Sequence, residues 1–145
     1  MRILAIDYGH KRIGLAICDK LEIVAQPLMV IENTNDGNAA EIITQIAKAR
    51  DTGEIVIGLP ERTDAKIESE HDSPAGIVQR FANCLRERID IPIVFFNEAF
   101  TTKIAERALL EANVSRAQRK QTIDKIAAAI LLENYLETRR QKKAP

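Results

Sequence analysis

The spacing of apolar and polar positions along this chain changes several times, and each change marks an element. Arg2-Ile-Leu-Ala-Ile-Asp7 is apolar at successive rather than alternate positions, as in a central strand covered on both faces. Tyr8 to Arg12 is a polar turn, and Ile13 to Cys18 reads as a second strand returning beside the first. Glu22 to Ile31 is a third strand. Pro27 within it marks an edge position or a bulge, because proline has no N–H to give to a ladder.

Asn33 to Gly37 is a loop, after which the period lengthens. Ile42, Ile43, Ile46 and Ala47 fall at helical spacing between Ala39 and Ala49, and Gly53 is the expected stop. Glu54 to Gly58 is a short buried strand closed by Leu59-Pro60. Residues 61–72 (ERTDAKIESEHD) have no apolar period and read as a charged, mobile surface loop. Ser73 caps the next helix with Pro74 in its first turn, and its inner face is Ile77, Val78, Phe81, Ala82 and Leu85. Ile91 to Phe96 is another buried strand. Thr101 or Thr102 opens a helix through Leu110 that Asn113 ends. Ser115 and Gln118 form a capping box for a final helix with the stripe Ile123, Ile126, Ala127, Ile130 and Leu131.

The order βββαβαβαα predicts an α/β fold with a mixed five-stranded sheet flanked by helices. Its first three strands form an antiparallel meander, whereas a fully parallel sheet would alternate strand and helix from the start. One domain over residues 1–138 and a basic C-terminal tail, 139–145, account for the chain.

Composition narrows the partner classes. The 145 residues are 46% hydrophobic and 29% charged, with 21 basic residues against 21 acidic ones, so net charge names no partner. The distribution is less even. Arg116, Arg119, Lys120 and Lys125 face a single Asp124 in their stretch, and Arg139 to Lys143 is basic throughout. Such local patches hold phosphates even at zero total charge. No stretch approaches the ~20 apolar residues of a membrane span. The N-terminal strand has no signal-peptide pattern, so a cytoplasmic location is expected. Cys18 and Cys84 sit in apolar patterns, as small buried hydrophobes rather than a disulfide or metal pair.

Three acids stand against apolar surroundings: Asp7 in the first strand, Glu98 directly after the last, and Asp124 on the final helix. An ionised carboxylate in a buried strand costs several kcal/mol unless a cation or donors meet it. In open α/β sheets reactive groups gather at the carboxyl ends of strands, where Asp7 and Glu98 fall if their strands are parallel. Asp124 shares helical spacing with Ala127, Ala128 and Leu131, at the margin of the buried stripe. Each has a plainer reading. Glu98 can favour a helix N-terminus, Asp124 can pair with Lys120 or Lys125, and His10 can be a solvated turn residue. Taken together, three carboxylates without a companion His or Cys suit Mg²⁺ or Mn²⁺, the ions used to hydrolyse phosphodiesters. Lys11, Arg12, Arg116, Arg119 and Lys120 are the candidate contacts to a nucleic-acid backbone.

The segments ILAIDYGHKRIGLAICD, IVIGLP (55–60), NEAFTT (97–102) and IDKIAAAILLENYLE (123–137) resemble, in order, the motifs of the YqgF/RuvX family. That resemblance implies a ribonuclease-H-like fold and a metal-dependent endonuclease that matures the 5′ end of pre-16S ribosomal RNA. The family was earlier regarded as resolving Holliday junctions. Its acidic set falls on Asp7, Glu98 and Asp124. An Asp-Glu-Arg triplet of the family reads Asn97-Glu98-Ala99 here, and the loop after GLP is acidic where the family carries an Asn and a Gly-containing turn. The alternatives are therefore a nuclease acting on structured DNA and a nucleic-acid-binding domain without activity. Monomer and homodimer both remain open, and no membrane partner is expected.

Overall fold

The computed structural model describes residues 1–60, 73–97 and 116–143, without the side chains of 116–125 and 143. The predicted helix over 101–110, Glu98, Ala99 and the loop 61–72 lie outside the described residues. Five strands form one sheet: β1 (Arg2–Asp7), β2 (Arg12–Cys18), β3 (Ala25–Glu32), β4 (Thr52–Leu59) and β5 (Ile93–Asn97). Their order is β3-β2-β1-β4-β5. The β1–β2 and β2–β3 pairs are antiparallel, while β4 runs parallel to β1 and β5 parallel to β4. This is the mixed sheet with an N-terminal meander that the sequence predicts.

Both faces of the sheet are covered, which is why β1 and β4 lack simple alternation. Helices α1 (Asp36–Ala49) and α2 (Pro74–Arg86) lie on one face, closing a core of Leu4, Ile6, Ile13, Leu15, Ile55 and Ile57 with Ile43 and Phe81. Helix α3 (Arg116–Lys143) covers the other, against Ile3, Ala5, Ala16, Cys18 and Val56. Burying a large apolar side chain in either core is worth about 1.5–3 kcal/mol.

Several boundaries differ from the apolar pattern, each for a local reason. Helix α1 starts at Asp36 rather than Ala39, because the Asn35 side chain caps it by accepting from Asn38 N at 2.8 Å. Its end is set by Asp51, held at φ 53°, rather than by Gly53, which lies within β4. Strand β3 starts at Ala25 because Asp19 takes the amides of Leu21, Ile23 and Val24 at 3.2, 2.8 and 2.8 Å. Those donors are spent locally, so the chain joins the sheet only afterwards. Pro27 satisfies both expectations at once, since β3 is an edge strand and its register shifts between Met29 and Pro27. Ser73 caps α2 as predicted, accepting from Gly76 N at 2.9 Å. On α3 the buried stripe is Ala127, Ala128, Leu131, Leu132 and Leu136, while Ile126 and Ile130 are only half-buried. Small alanines let the helix backbone sit close to the sheet, and the bulkier isoleucines are turned to its flank.

The basic run from Arg139 continues α3 rather than forming a separate tail. Arg139 bridges Glu22 and Glu54 at 3.2 and 3.4 Å, and Arg140 donates to the carbonyls of Glu22 and Ile23. Opposite charges from three distant segments hold these turns against the sheet.

Candidate functional site

Asp7 is the last residue of β1, half-buried, and pairs with Gly14 across the antiparallel ladder. Side chains alternate along a strand, so Asp7 shares the face of Ile3 and Ala5, the one covered by α3. Gly14 opposite brings no side chain to that face. The next residue of β2 on the same face toward this end is Arg12, a diagonal neighbour with Cα atoms about 7–8 Å apart. Arg12 is paired in turn with Glu32 of β3. A carboxylate, a guanidinium and a second carboxylate thus follow one another across one end of the sheet.

Helix α3 brings its first half toward that end. Tyr135 and Arg139 contact Glu54 near the start of β4, so α3 runs opposite in direction to β1 and β4. Roughly 16 Å of helix separate position 124 from Tyr135. Roughly 13 Å of strand separate Glu54 from Gly58, which lies level with Asp7 because Ile6 pairs with Ile57. The backbone at position 124 therefore arrives within about a turn of the level of Asp7. Position 124 is spaced three, four and seven residues before Ala127, Ala128 and Leu131, which are buried against the sheet. Its side chain, with those of Arg116, Arg119 and Lys120, lies outside the described residues, as does Glu98. Among the described residues no three His, Cys, Asp or Glu side chains converge.

The turn from β1 to β2 is built tightly. A Cβ at Gly9 would overlap the Arg12 carbonyl oxygen, so only glycine closes it. Asn33, after β3, holds the turn from outside: its amide N donates to the Lys11 carbonyl at 2.9 Å and its Nδ2 to the Gly9 carbonyl at 2.9 Å. The Tyr8 hydroxyl donates to Asp36 Oδ1 at 2.7 Å, joining the turn to the start of α1. Burial and the Asp36 carboxylate push the Tyr8 hydroxyl above its ordinary pKa, so it remains a donor. Lys11 is exposed and Arg12 half-buried, and both line an open cavity of about 360 Å³ beside this turn.

One acid escaped the sequence reading. Glu54 is 8% exposed on β4, on the α3 face, yet its position at the start of a strand gave it no prominence. It accepts from the Tyr135 hydroxyl and pairs with Arg139. Partners 81 and 85 residues away carry no local signal that could have announced them. Asn97, at the end of β5, is exposed and pairs with Leu59 in the ladder.

Residues 1–138 match the family model described as RuvX: Holliday junction resolvase. A relative in Thermoanaerobacter pseudethanolicus, named "Putative pre-16S rRNA nuclease", is 38% identical over 143 residues, 98% of this chain and 100% of the relative. One of the same name in Syntrophus aciditrophicus is 37% identical over 145 residues, 100% of this chain and 94% of the relative. Among solved structures, Thermus thermophilus RuvC in complex with Holliday junction substrate superposes with a TM-score of 0.56 at 15% identity, covering 97% of this chain and 96% of that one. Fowlpox virus resolvase with Holliday junction DNA gives 0.57 at 14% identity, covering 95% and 98%. These likenesses establish the ribonuclease-H-like fold.

Proposed function

This chain belongs to the RuvX family, and on that premise we propose that it is a metal-dependent endonuclease that processes the 5′ end of pre-16S ribosomal RNA in the cytoplasm. The observation that carries this reading is Asp7, a carboxylate at the carboxyl end of a central parallel strand, on the face that α3 covers. The names of the curated relatives support the choice of RNA.

Asp7, Glu98 and Asp124 are the proposed catalytic and metal-binding residues. Asp7 fits such a centre: it is a hard oxygen donor, and Gly14 opposite it in the ladder brings no side chain of its own to that face. Mg²⁺ or Mn²⁺, when bound, supplies Lewis-acid assistance to the attacking water and to the leaving oxygen. The chain's own residues position the strand. Arg12, diagonal to Asp7, sets positive charge where a phosphate must come, and Lys11 adds an exposed ammonium on the same turn. Arg116, Arg119 and Lys120 are proposed to extend this contact along the first turns of α3.

Labelled precursor RNA incubated with Mg²⁺ tests the reading directly. The native chain is expected to cut, and both Asp7→Asn and EDTA treatment to abolish cutting. Equal cutting by the native and Asp7→Asn chains overturns the role of Asp7. The family model's description favours a second substrate, the four-way DNA junction; symmetric nicking of junctions with precursor RNA left intact would select it.

A further inference from the structure

The cavity beside the β1–β2 turn lies at the same end of the sheet as Asp7. We infer that it is a nucleotide subsite, receiving one unpaired nucleotide of the RNA strand that Asp7 cuts. The inference rests on the nuclease reading for the identity of that strand, and on the structure for the rest.

The first ground is shape. The cavity, about 360 Å³, lies between two polar segments, His10 to Arg12 and Glu32 to Thr34, with Val30 and Ile31 as its apolar part. That is the lower range of ligand pockets, the size of a single nucleotide rather than a base pair. The second is rigidity. Hydrogen bonds from Asn33 tie the two polar walls together, and Gly9 keeps the turn closed. Holding Asn33 there leaves its Oδ1 buried without a partner among the described residues. A site tolerates such an orphaned acceptor when something else depends on the geometry.

The third ground is chemistry. Lys11 and Arg12 bring two cations against the single carboxylate of Glu32, which suits one phosphate but not a bare carboxylate-rich ligand. His10 is exposed at the rim and offers a flat ring, the surface on which unpaired bases stack. Thr34 and the half-buried Val30 complete a wall that is polar on one side and apolar on the other. The fourth is position. Three peptide bonds link Asp7 to His10, so their Cα atoms are at most about 11 Å apart, a span that roughly one or two nucleotides cover. Arg12, Glu32, Gly14 and Val30 share the Asp7 face by their ladder pairing. Gly14, paired with Asp7 on one side and with Val30 of the cavity wall on the other, brings no side chain to the face between them.

Binding measured without metal separates this inference from catalysis. Fluorescence anisotropy of a labelled single-stranded oligoribonucleotide, in EDTA, compares the native chain with His10→Ala, Lys11→Ala and Thr34→Trp. Thr34 is exposed, so the tryptophan fills the cavity mouth without entering the core. Each variant is expected to bind the single strand about tenfold more weakly, with His10→Ala and Thr34→Trp binding a blunt RNA duplex unchanged. Variants that bind the single strand like the native chain overturn the subsite, whether or not Asp7→Asn abolishes cutting. Equal losses on strand and duplex in His10→Ala and Thr34→Trp also overturn it, in favour of a general basic patch. If the native chain cuts nothing yet Thr34→Trp loses single-strand binding, the nuclease reading fails and the subsite stands. A parallel deoxyribonucleotide that binds equally assigns the site to phosphate and base, and weaker binding assigns a share to the 2′-hydroxyl.

Discussion

The two ends of the sheet treat a carboxylate in opposite ways. At one end Glu54, on β4, is closed in by the Tyr135 hydroxyl and the Arg139 guanidinium, with Glu22 as a second acid on the same arginine. At the other, Asp7 on β1 pairs with a glycine at the end of the sheet that carries the cationic turn. Both acids lie on the α3 face of neighbouring parallel strands. An acid at the amino end of a strand meets the end of α3 and is neutralised by it. An acid at the carboxyl end stands on the side of the sheet where α/β folds generally bind ligands.

The largest effect that sharpens this contrast is expected at Asp7. Asp7→Asn should lower cleavage of precursor RNA about 10³-fold while leaving the urea midpoint near that of the native chain. A fall in stability equal to that of an Arg139 variant would instead place Asp7 with the structural acids. Arg139→Met should do the reverse. It leaves Glu54 buried beside uncompensated charge, at a cost of about 3 kcal/mol, read as a lower urea midpoint with RNA binding intact. Gly9→Ala should cost about 1–3 kcal/mol, because the new Cβ meets the Arg12 carbonyl. It should also weaken single-strand binding, since Lys11 and Arg12 move with the turn.

The smallest effect concerns Asp19, away from either acid. The backbone N–H of Val24, ahead of those of Ile23 and Leu21, holds its carboxyl below the usual carboxylate range. A folded-state pKa depressed in this way means that the ordering of residues 21–24 is complete above that range and is lost as pH falls through the lowered value. The amide signals of Ile23 and Val24 should titrate there by NMR, and Asp19→Asn should leave them flat.

Much of the fold was legible because it rests on local chemistry. The successive apolar positions of β1 and β4, Pro27 in an edge strand and Ser73-Pro74 at the start of α2 each act within a few residues, and the structure repeats them. Where capping outruns the apolar period, as Asn35 does ahead of Ala39, the pattern misplaces a boundary. The stripe of α3 was shifted for a different reason: its phase answers to the sheet it packs on, and alanines rather than isoleucines fit the closest approach. Of the site, Asp7 was visible as a charge out of place, and Lys11 and Arg12 as basic residues in a turn. The cavity was not, because Asn33 and Thr34 look like any loop residues until the β2–β3 pairing brings them against the first turn.

The amino-acid sequence by itself determined the mixed sheet, the family and the acid at the end of β1, since these depend on periodicity, turn chemistry and motifs of neighbouring residues. Tertiary structure alone decided that Glu54 is a paired structural acid, that the basic run after Thr138 is helix clamped to Glu22 and Glu54, and that Arg12 stands diagonal to Asp7 beside a cavity. The physical reason is distance along the chain. Charge pairing and cavities depend on which remote segments meet, and only strand register and helix direction bring them together.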